Sequence, residues 1–205
     1  MLKAMLDAAM ERRACQLMEQ VREWLPTQGR LLDLGSGTGH LSARLERELG
    51  LEVVTADVSD MHVVGPPPVL IADGVLPFGE RTFSAALLLF MLGYPNDPAG
   101  VLKEVARVTH GPIILVQSLH ANRLGYTWLR VREFVWTFVG FHVSKIVGYV
   151  PPDAEFTMRT RRFFTARTLR REVAAAGLRI RSHSARPVLP GGALVVAAWV
   201  LDDEG

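Results

Sequence analysis

The chain has 205 residues, of which 49% are apolar and 21% charged, with a formal net charge of +2. Its length suits a single domain with a buried core, its composition excludes disorder, and so small a net charge gives little support to a polyanionic partner. The single cysteine, Cys15, excludes an intrachain disulfide. Because no charge-free apolar run is long enough to cross a bilayer and the first turns carry charges unlike those of a signal peptide, we expect a cytoplasmic protein.

Strand-like and helix-like patterns alternate over roughly the first 117 residues. Apolar residues at helical spacing over 2–24 predict a first helix, which Pro26 ends. Two further helices are predicted at 38–49 and 97–109. Short apolar runs predict five strands, at 30–34, 51–56, 69–72, 82–90 and 113–116. This alternation is typical of a parallel sheet with right-handed crossovers.

The remaining sequence predicts an aromatic helical insert and a closing hairpin. Residues 124–149 hold seven of the sixteen aromatic residues, and their apolar positions follow helical spacing. A capped helix is predicted at 165–176. The β-rich runs at 178–185 and 193–201 flank a loop with Pro190 and two glycines, which predicts an antiparallel pair.

Three glycines at alternate positions follow the first predicted strand: Gly35, Gly37 and Gly39, with Asp33 just before them. Glycine is favoured where the backbone turns sharply or touches a ligand closely. A phosphate-binding P-loop is excluded because no lysine occurs between residues 3 and 103, and the dinucleotide fingerprint fails because its sixth position holds His40.

The stretch 31–39, Leu-Leu-Asp-Leu-Gly-Ser-Gly-Thr-Gly, resembles the first motif of the class I S-adenosylmethionine-dependent methyltransferases. Residues 53–59 resemble the second motif, 71–78 the third, and 101–108 the helix before the fifth strand. The resemblance is strong over residues 30–117 and looser over 163–201. It implies S-adenosylmethionine as the cofactor and S-adenosylhomocysteine as the product.

The resemblance also implies which residues hold the cofactor. Asp57 lies 18 residues after Gly39, where the family places an acidic residue on the ribose hydroxyls. Asp73 would receive the adenine amino group. The full set of expected cofactor-binding residues is Asp33, Gly35, Ser36, Gly37, Gly39, Asp57, Val58, Asp73, Gly74 and Phe90. No metal-ligand spacing is present, so no metal is expected.

The sequence departs from the family pattern in two places. Only fifteen residues separate Asp57 from Asp73, so the usual helix must shrink to a turn or a short extended segment, with Val58 or Met61 packing on the adenine. At the end of the fourth strand, Phe90, Gly93 and Tyr94 stand where many members carry Asp and His. We therefore expect a reaction driven by positioning, with His120 and Tyr94 as the candidate catalytic residues.

The insert, residues 118–162, has three interpretations. As a lid, it would place an apolar cap over the acceptor; its aromatic residues would be Tyr126, Trp128, Trp136, Phe138 and Phe141. Alternatively, the same stripe packs the helix onto the sheet. In the third interpretation, the stripe is an exposed face that meets a membrane surface or another subunit, with basic residues beside it.

We therefore predict one α/β domain over residues 1–205 with an N-terminal helix within 1–26. A Rossmann-like, mostly parallel sheet of order 3-2-1-4-5-7-6, its seventh strand antiparallel, carries helices on both faces. The predicted function is methyl transfer to a small, hydrophobic acceptor; the oligomeric state is left open. The alternatives are a non-catalytic S-adenosylmethionine-binding protein and, because of an arginine cluster at 159–171, an RNA methyltransferase.

Overall fold

The structure, a computed structural model, describes residues 1–72, 74–151 and 160–203. These residues include one seven-stranded sheet, in which the strands, numbered along the chain, lie in the order 3-2-1-4-5-7-6. Its strands are β1 (Arg30–Leu34), β2 (Glu52–Asp57), β3 (Val69–Leu70), β4 (Ala85–Leu89), β5 (Ile113–His120), β6 (Leu178–Pro187) and β7 (Leu194–Asp203). The first five pair in parallel, and β7 runs antiparallel to both β5 and β6. The predicted strand order and antiparallel last strand are confirmed.

Helices cover both faces of the sheet, as predicted. They are α1 (Leu2–Val21), α2 (His40–Leu49), α3 (Pro98–Val108), α4 (Arg123–Val135), α5 (Phe141–Ile146) and α6 (Ala166–Ala175). One core contains Leu102 of α3 and Leu169 of α6, and the other contains Met18 of α1 and Leu45 of α2. Each core meets one face of the sheet, which explains why its central strands are apolar at nearly every position.

The parallel register aligns the carboxyl ends of the first, second and fourth strands. The Gly35 N–H donates to the Ala56 carbonyl at 2.7 Å, and the Phe90 N–H donates to the Val116 carbonyl at 2.8 Å. Gly35, Asp57 and Phe90 therefore leave the sheet side by side. In open α/β sheets this edge is where ligands bind.

The crossover between β2 and β3 contains no helix in its described residues, as the sequence predicts. It runs beneath the glycine loop instead. The N–H groups of Val63 and Val64 donate to the Thr38 carbonyl at 3.1 and 3.3 Å. These bonds fix the short crossover against the loop.

The strand β5 is longer than predicted. The prediction ended it at residue 116 and began the insert at 118, but pairing with β7 continues to His120, which lies opposite Leu194. The cause is nonlocal, since the extra residues gain their ladder partners only when the end of the chain folds back. The insert proper consists of α4, a π-helical turn at Trp136–Gly140, and α5.

The prediction that the aromatic stripe of the insert packs onto the sheet is wrong for most of its residues. Among the residues of α4, Gly125 and Leu129 are buried, whereas Tyr126 and Trp128 are exposed. Trp136 is exposed as well, and the side chain of Phe138 lies outside the described part. In the portion of the chain that the structure describes, no helix has the length and apolarity needed to cross a membrane.

Candidate active site

The three glycines of the first loop differ in what their missing side chains permit. All three have positive φ, at +79°, +57° and +79° for Gly35, Gly37 and Gly39. A Cβ on Gly39 would collide with the Val64 carbonyl, so this glycine allows the crossover to approach. A Cβ on Gly37 would meet no atom within 4 Å, so bare main chain here faces open space. Gly37 therefore leaves room for a ligand, while Gly39 serves packing.

Asp57 closes β2 directly opposite this open main chain. Its Oδ2 accepts the Gly37 N–H at 2.9 Å, and its Oδ1 accepts the Val58 N–H at 2.7 Å. Burial raises the pKa of Asp57, and the hydrogen bonds from Gly37 and Val58 oppose that rise. The Ser59 backbone also hydrogen-bonds this carboxylate, which is thus fixed in orientation and keeps acceptor capacity for a further donor.

Asp33 and Ser36 support the loop from behind. Asp33 is 2% exposed and accepts the Ser42 hydroxyl of α2 at 2.5 Å. Burial raises the pKa of Asp33 to about 6, against the effect of the Ser42 hydrogen bond and with a contribution from Asp57. Ser36 Oγ hydrogen-bonds His62 Nε2 at 2.8 Å, which ties the loop to the crossover.

A cavity of about 800 Å³ opens at this edge of the sheet. Volumes of about 300–1,000 Å³ are usual for small-molecule sites. Its wall brings together seven of the predicted cofactor-binding and catalytic residues: Gly35, Gly37, Asp57, Val58, Gly74, Phe90 and Tyr94. Apolar side chains complete much of the wall, namely Met61, Ile71, Leu76, Leu89 and Met91.

Other singled-out residues lie away from the cavity wall. Asp33, Ser36 and Gly39 stand behind the loop, as described above, and Asp73 lies outside the described residues. His120 is partly buried beyond the wall, where its ring packs on Tyr126 with centroids 5.4 Å apart. Its Nδ1 has no hydrogen-bond partner among the described residues. The cavity therefore includes one of the two candidate catalytic residues, Tyr94.

Tyr94 contributes a neutral phenol to the wall. Burial raises the pKa of Tyr94 above its ordinary value, so its hydroxyl keeps its proton at neutral pH. A hydrogen bond with the Thr160 side chain opposes this rise and ties the hydroxyl to the segment after the insert.

Two arginines that the sequence analysis missed reach the same end of the site. The Arg13 guanidinium lies over the Phe90 ring, 4.9 Å from its centroid, and lines the cavity. Arg132 of α4 donates to Ser118 Oγ at 3.2 Å. Loss of hydration, together with the Arg132 charge, lowers the pKa of Arg13. No sequence signal marks either residue, because each lies in a helix outside the motifs.

Comparison with known proteins shows which family model matches this chain and which curated proteins resemble it. A family model described as a methyltransferase domain matches residues 6–183. Two curated relatives are demethylmenaquinone methyltransferases, from Renibacterium salmoninarum (33% identity over 122 residues) and Corynebacterium kroppenstedtii (39% over 84 residues). The matches cover 50% and 38% of this chain, and 51% and 36% of those proteins, so the chain spans about half of their length or less.

A similar solved structure is that of a geranyl diphosphate methyltransferase in complex with S-adenosylmethionine. Its TM-score is 0.59 at 14% identity, and the match covers 94% of this chain and 80% of that one. At this identity the likeness concerns the fold.

Proposed function

Because the chain belongs to the class I S-adenosylmethionine-dependent methyltransferases, with S-adenosylmethionine as cofactor, we propose that it methylates a small hydrophobic acceptor bound at the end of β4. The observation that carries this proposal is the continuity of one cavity. The same cavity contacts the bare loop at Gly37, the carboxylate of Asp57 and the apolar end of β4 at Phe90. Cofactor and acceptor would thus share one water-poor space.

Features of the cavity wall support a cofactor position that runs from the glycine loop to the end of β4. Open main chain at Gly37 leaves room for the amino-acid portion beside the loop. The fixed carboxylate of Asp57 suits two ribose hydroxyls, since it accepts several hydrogen bonds at once. Val58 and Ile71 supply apolar surface for the adenine ring. We assign the nucleoside end to these residues and the methyl end to the neighbourhood of Phe90.

When bound, the cofactor supplies a methyl group that its sulfonium has already activated. The chain then needs mainly to align the acceptor and exclude water, which Phe90, Leu89 and Met91 favour through their apolar surfaces. The neutral hydroxyl of Tyr94 would orient a polar group of the acceptor. The positive charge of Arg13 would stabilise negative charge that develops on an acceptor oxygen.

An RNA acceptor receives less support from the arginine cluster. Arg162 pairs with Glu172 at 2.8 Å, and the Arg170 guanidinium lies 5.3 Å from the Trp199 ring centroid. These two cations are engaged within the protein, which weakens the case for a phosphate-binding patch.

The experiment supplies the purified protein with methyl-labelled S-adenosylmethionine and three acceptor pools. These are a short-chain demethylmenaquinone in its reduced form, a total lipid extract and total RNA. We expect label in the solvent-extractable fraction, and loss of that label with Asp57→Ala but not with Asp60→Ala, a nearby carboxylate outside the cavity wall. Label confined to RNA would refute the hydrophobic acceptor.

A further inference from the structure

The outer side of α4 is an exposed apolar stripe. Leu124, Trp128, Val131 and Val135 follow one another at intervals of four, three and four residues, so they share one helix face. Their exposed fractions are 64%, 48%, 52% and 51%. Four further exposed large side chains extend the apolar area along the insert: Phe134, Trp136, Val139 and Ile146. We call the first four residues the outer stripe.

The orientation of α4 is fixed from its other side. Leu129 is 2% exposed, and Gly125 lies so close to the residue before β7 that a Cβ would collide with the Ala193 carbonyl. Arg132 adds its hydrogen bond to Ser118 on β5. With these contacts holding the inner face, the outer stripe points away from the protein. A contiguous exposed apolar patch of this kind usually marks an interaction surface.

The charges around the stripe are almost all positive. Residues 121–151 contain one acidic residue, Glu133, and four basic ones: Arg123, Arg130, Arg132 and Lys145. Glu133 accepts the Thr160 N–H at 2.7 Å and so faces the protein. At 100° per residue, Arg123 and Arg130 both fall on one flank of the outer stripe. Apolar and tryptophan residues on one face, with arginines beside them, are typical of helices that lie in a membrane interface.

The same charges argue against the two other possible partners of this face, a second copy of the chain and a different protein. In a two-fold dimer the patch would meet its own copy, which sets arginines against arginines without an acidic partner. A partner protein with an uncharged apolar surface would give the flanking arginines no oppositely charged groups to pair with. An anionic lipid bilayer matches both features, because its acyl chains contact the apolar stripe and its phosphates pair with the arginines.

We propose that the outer stripe docks the protein on the surface of an anionic lipid bilayer. The helix α4 lies in the plane of the interface, with the stripe among the upper acyl chains and with Arg123 and Arg130 at the phosphates. Since α4 follows directly from the carboxyl end of β5, docking brings the cavity edge of the sheet next to the lipid. A hydrophobic acceptor then enters without crossing water; this last consequence rests on the proposed function, whereas the docking does not.

The first test is cosedimentation with vesicles of phosphatidylcholine alone and of phosphatidylcholine with an equal part of phosphatidylglycerol. We expect binding to the anionic vesicles that weakens as salt is added. The double variant Val131→Glu/Val135→Glu should weaken binding at least about tenfold, whereas the matched Val131→Leu/Val135→Leu retains it. Arg130→Glu should weaken binding, and Arg179→Glu, an exposed arginine on β6, should not.

The second test uses the tryptophans of the insert as depth reporters. Brominated lipids should quench the fluorescence of Trp128 and Trp136, and Trp128→Phe/Trp136→Phe should abolish that quenching. The fluorescence that remains in this variant comes from Trp24 and Trp199, the latter 3% exposed, and serves as the unquenched control. Circular dichroism of each variant establishes that it is folded.

Two results would overturn the proposal. One is the absence of binding to anionic vesicles by the folded protein. The other is a concentration-dependent dimer that the Val131→Glu/Val135→Glu variant dissociates, which would make the stripe a contact between two copies. Neither result bears on methyl transfer in detergent solution, so the docking and the proposed function fail separately.

Discussion

Replacing Asp57 by Ala removes the carboxylate that faces the open main chain of the glycine loop. In the structure this group accepts the N–H of Gly37 at 2.9 Å and that of Val58 at 2.7 Å. The substitution therefore deletes the proposed ribose acceptor and also leaves the N–H groups of Gly37 and Val58 without that partner. We expect weaker binding of both S-adenosylmethionine and S-adenosylhomocysteine.

The magnitude follows from the charge of the lost acceptor. A hydrogen bond to a charged group contributes about 1.5–3 kcal/mol, and about 1.4 kcal/mol corresponds to a tenfold change in affinity. The loss of Asp57 should thus reduce affinity by about tenfold to a hundredfold. Asp57→Asn should fall between the wild type and Asp57→Ala, because the amide keeps one oxygen acceptor.

Isothermal titration calorimetry with S-adenosylhomocysteine measures this loss directly. Burial raises the pKa of Asp57, so protonation begins above the usual range of an aspartate. Wild-type affinity should therefore fall as the pH is lowered through that raised pKa, whereas the Asp57→Asn affinity stays level over the same range. Asp60→Ala is the matched control, because Asp60 caps the His62 N–H in the same crossover and lies outside the cavity wall.

Unchanged affinity in folded Asp57→Ala, within about twofold, would refute the assignment of the ribose to this carboxylate. A loss of affinity in Asp60→Ala of equal size would also refute it. That pattern would show that any disturbance of the crossover weakens binding.

Three further predictions concern the loop, its support and the acceptor end. Gly37→Ala and Gly39→Ala both place a side chain at positive φ, but the Cβ of Gly39→Ala also meets the Val64 carbonyl. Gly39→Ala should therefore lower the free energy of unfolding by at least about 1 kcal/mol more than Gly37→Ala, whereas Gly37→Ala should show the larger loss of cofactor binding; urea unfolding and calorimetry separate the two effects. Folding raises the pKa of Asp33 from 3.8 to about 6, so the folded protein binds this proton more tightly than the unfolded chain does. The contribution of Asp33 to the free energy of unfolding therefore falls as the pH rises from about 4 to 6. Over that pH range, the free energy of unfolding of Asp33→Asn should therefore rise by about 3 kcal/mol relative to that of the wild type, less any loss of the Ser42 hydrogen bond. Urea unfolding at a series of pH values measures this difference. Tyr94→Phe should lower kcat by about tenfold to a hundredfold with little change in the KM for S-adenosylmethionine, as measured by steady-state kinetics.

Each of these predictions has an opposing result. Equal stability losses for the two glycine variants would mean that the Val64 carbonyl adds nothing to the cost of the positive φ that both positions share. A stability difference between Asp33→Asn and the wild type that is independent of pH would contradict the raised pKa of Asp33. An unaltered kcat for Tyr94→Phe would leave that residue as a wall of the cavity with no part in orienting the acceptor.

Much of the fold was predictable because its signals are local. The apolar runs at 30–34 and 113–116 and the glycines of the first loop define a strand–loop–helix order that the family resemblance extends to a sheet order. The absence of a crossover helix followed from counting residues between Asp57 and Asp73. The family resemblance also implied that Asp57 would face the glycine loop, and the parallel strands that end at one edge give the physical reason.

The tertiary structure decided the features that depend on distant parts of the chain. The residues of β5 after Val116 became strand only because β7 returns to pair with them. Arg13 reaches the acceptor end because α1 packs across the sheet toward Phe90, a placement that no motif encodes. The outer side of α4 is exposed because Gly125 and Leu129 hold its inner side. Helical periodicity reveals that a face is apolar, but only the packing of its neighbours determines whether that face is covered.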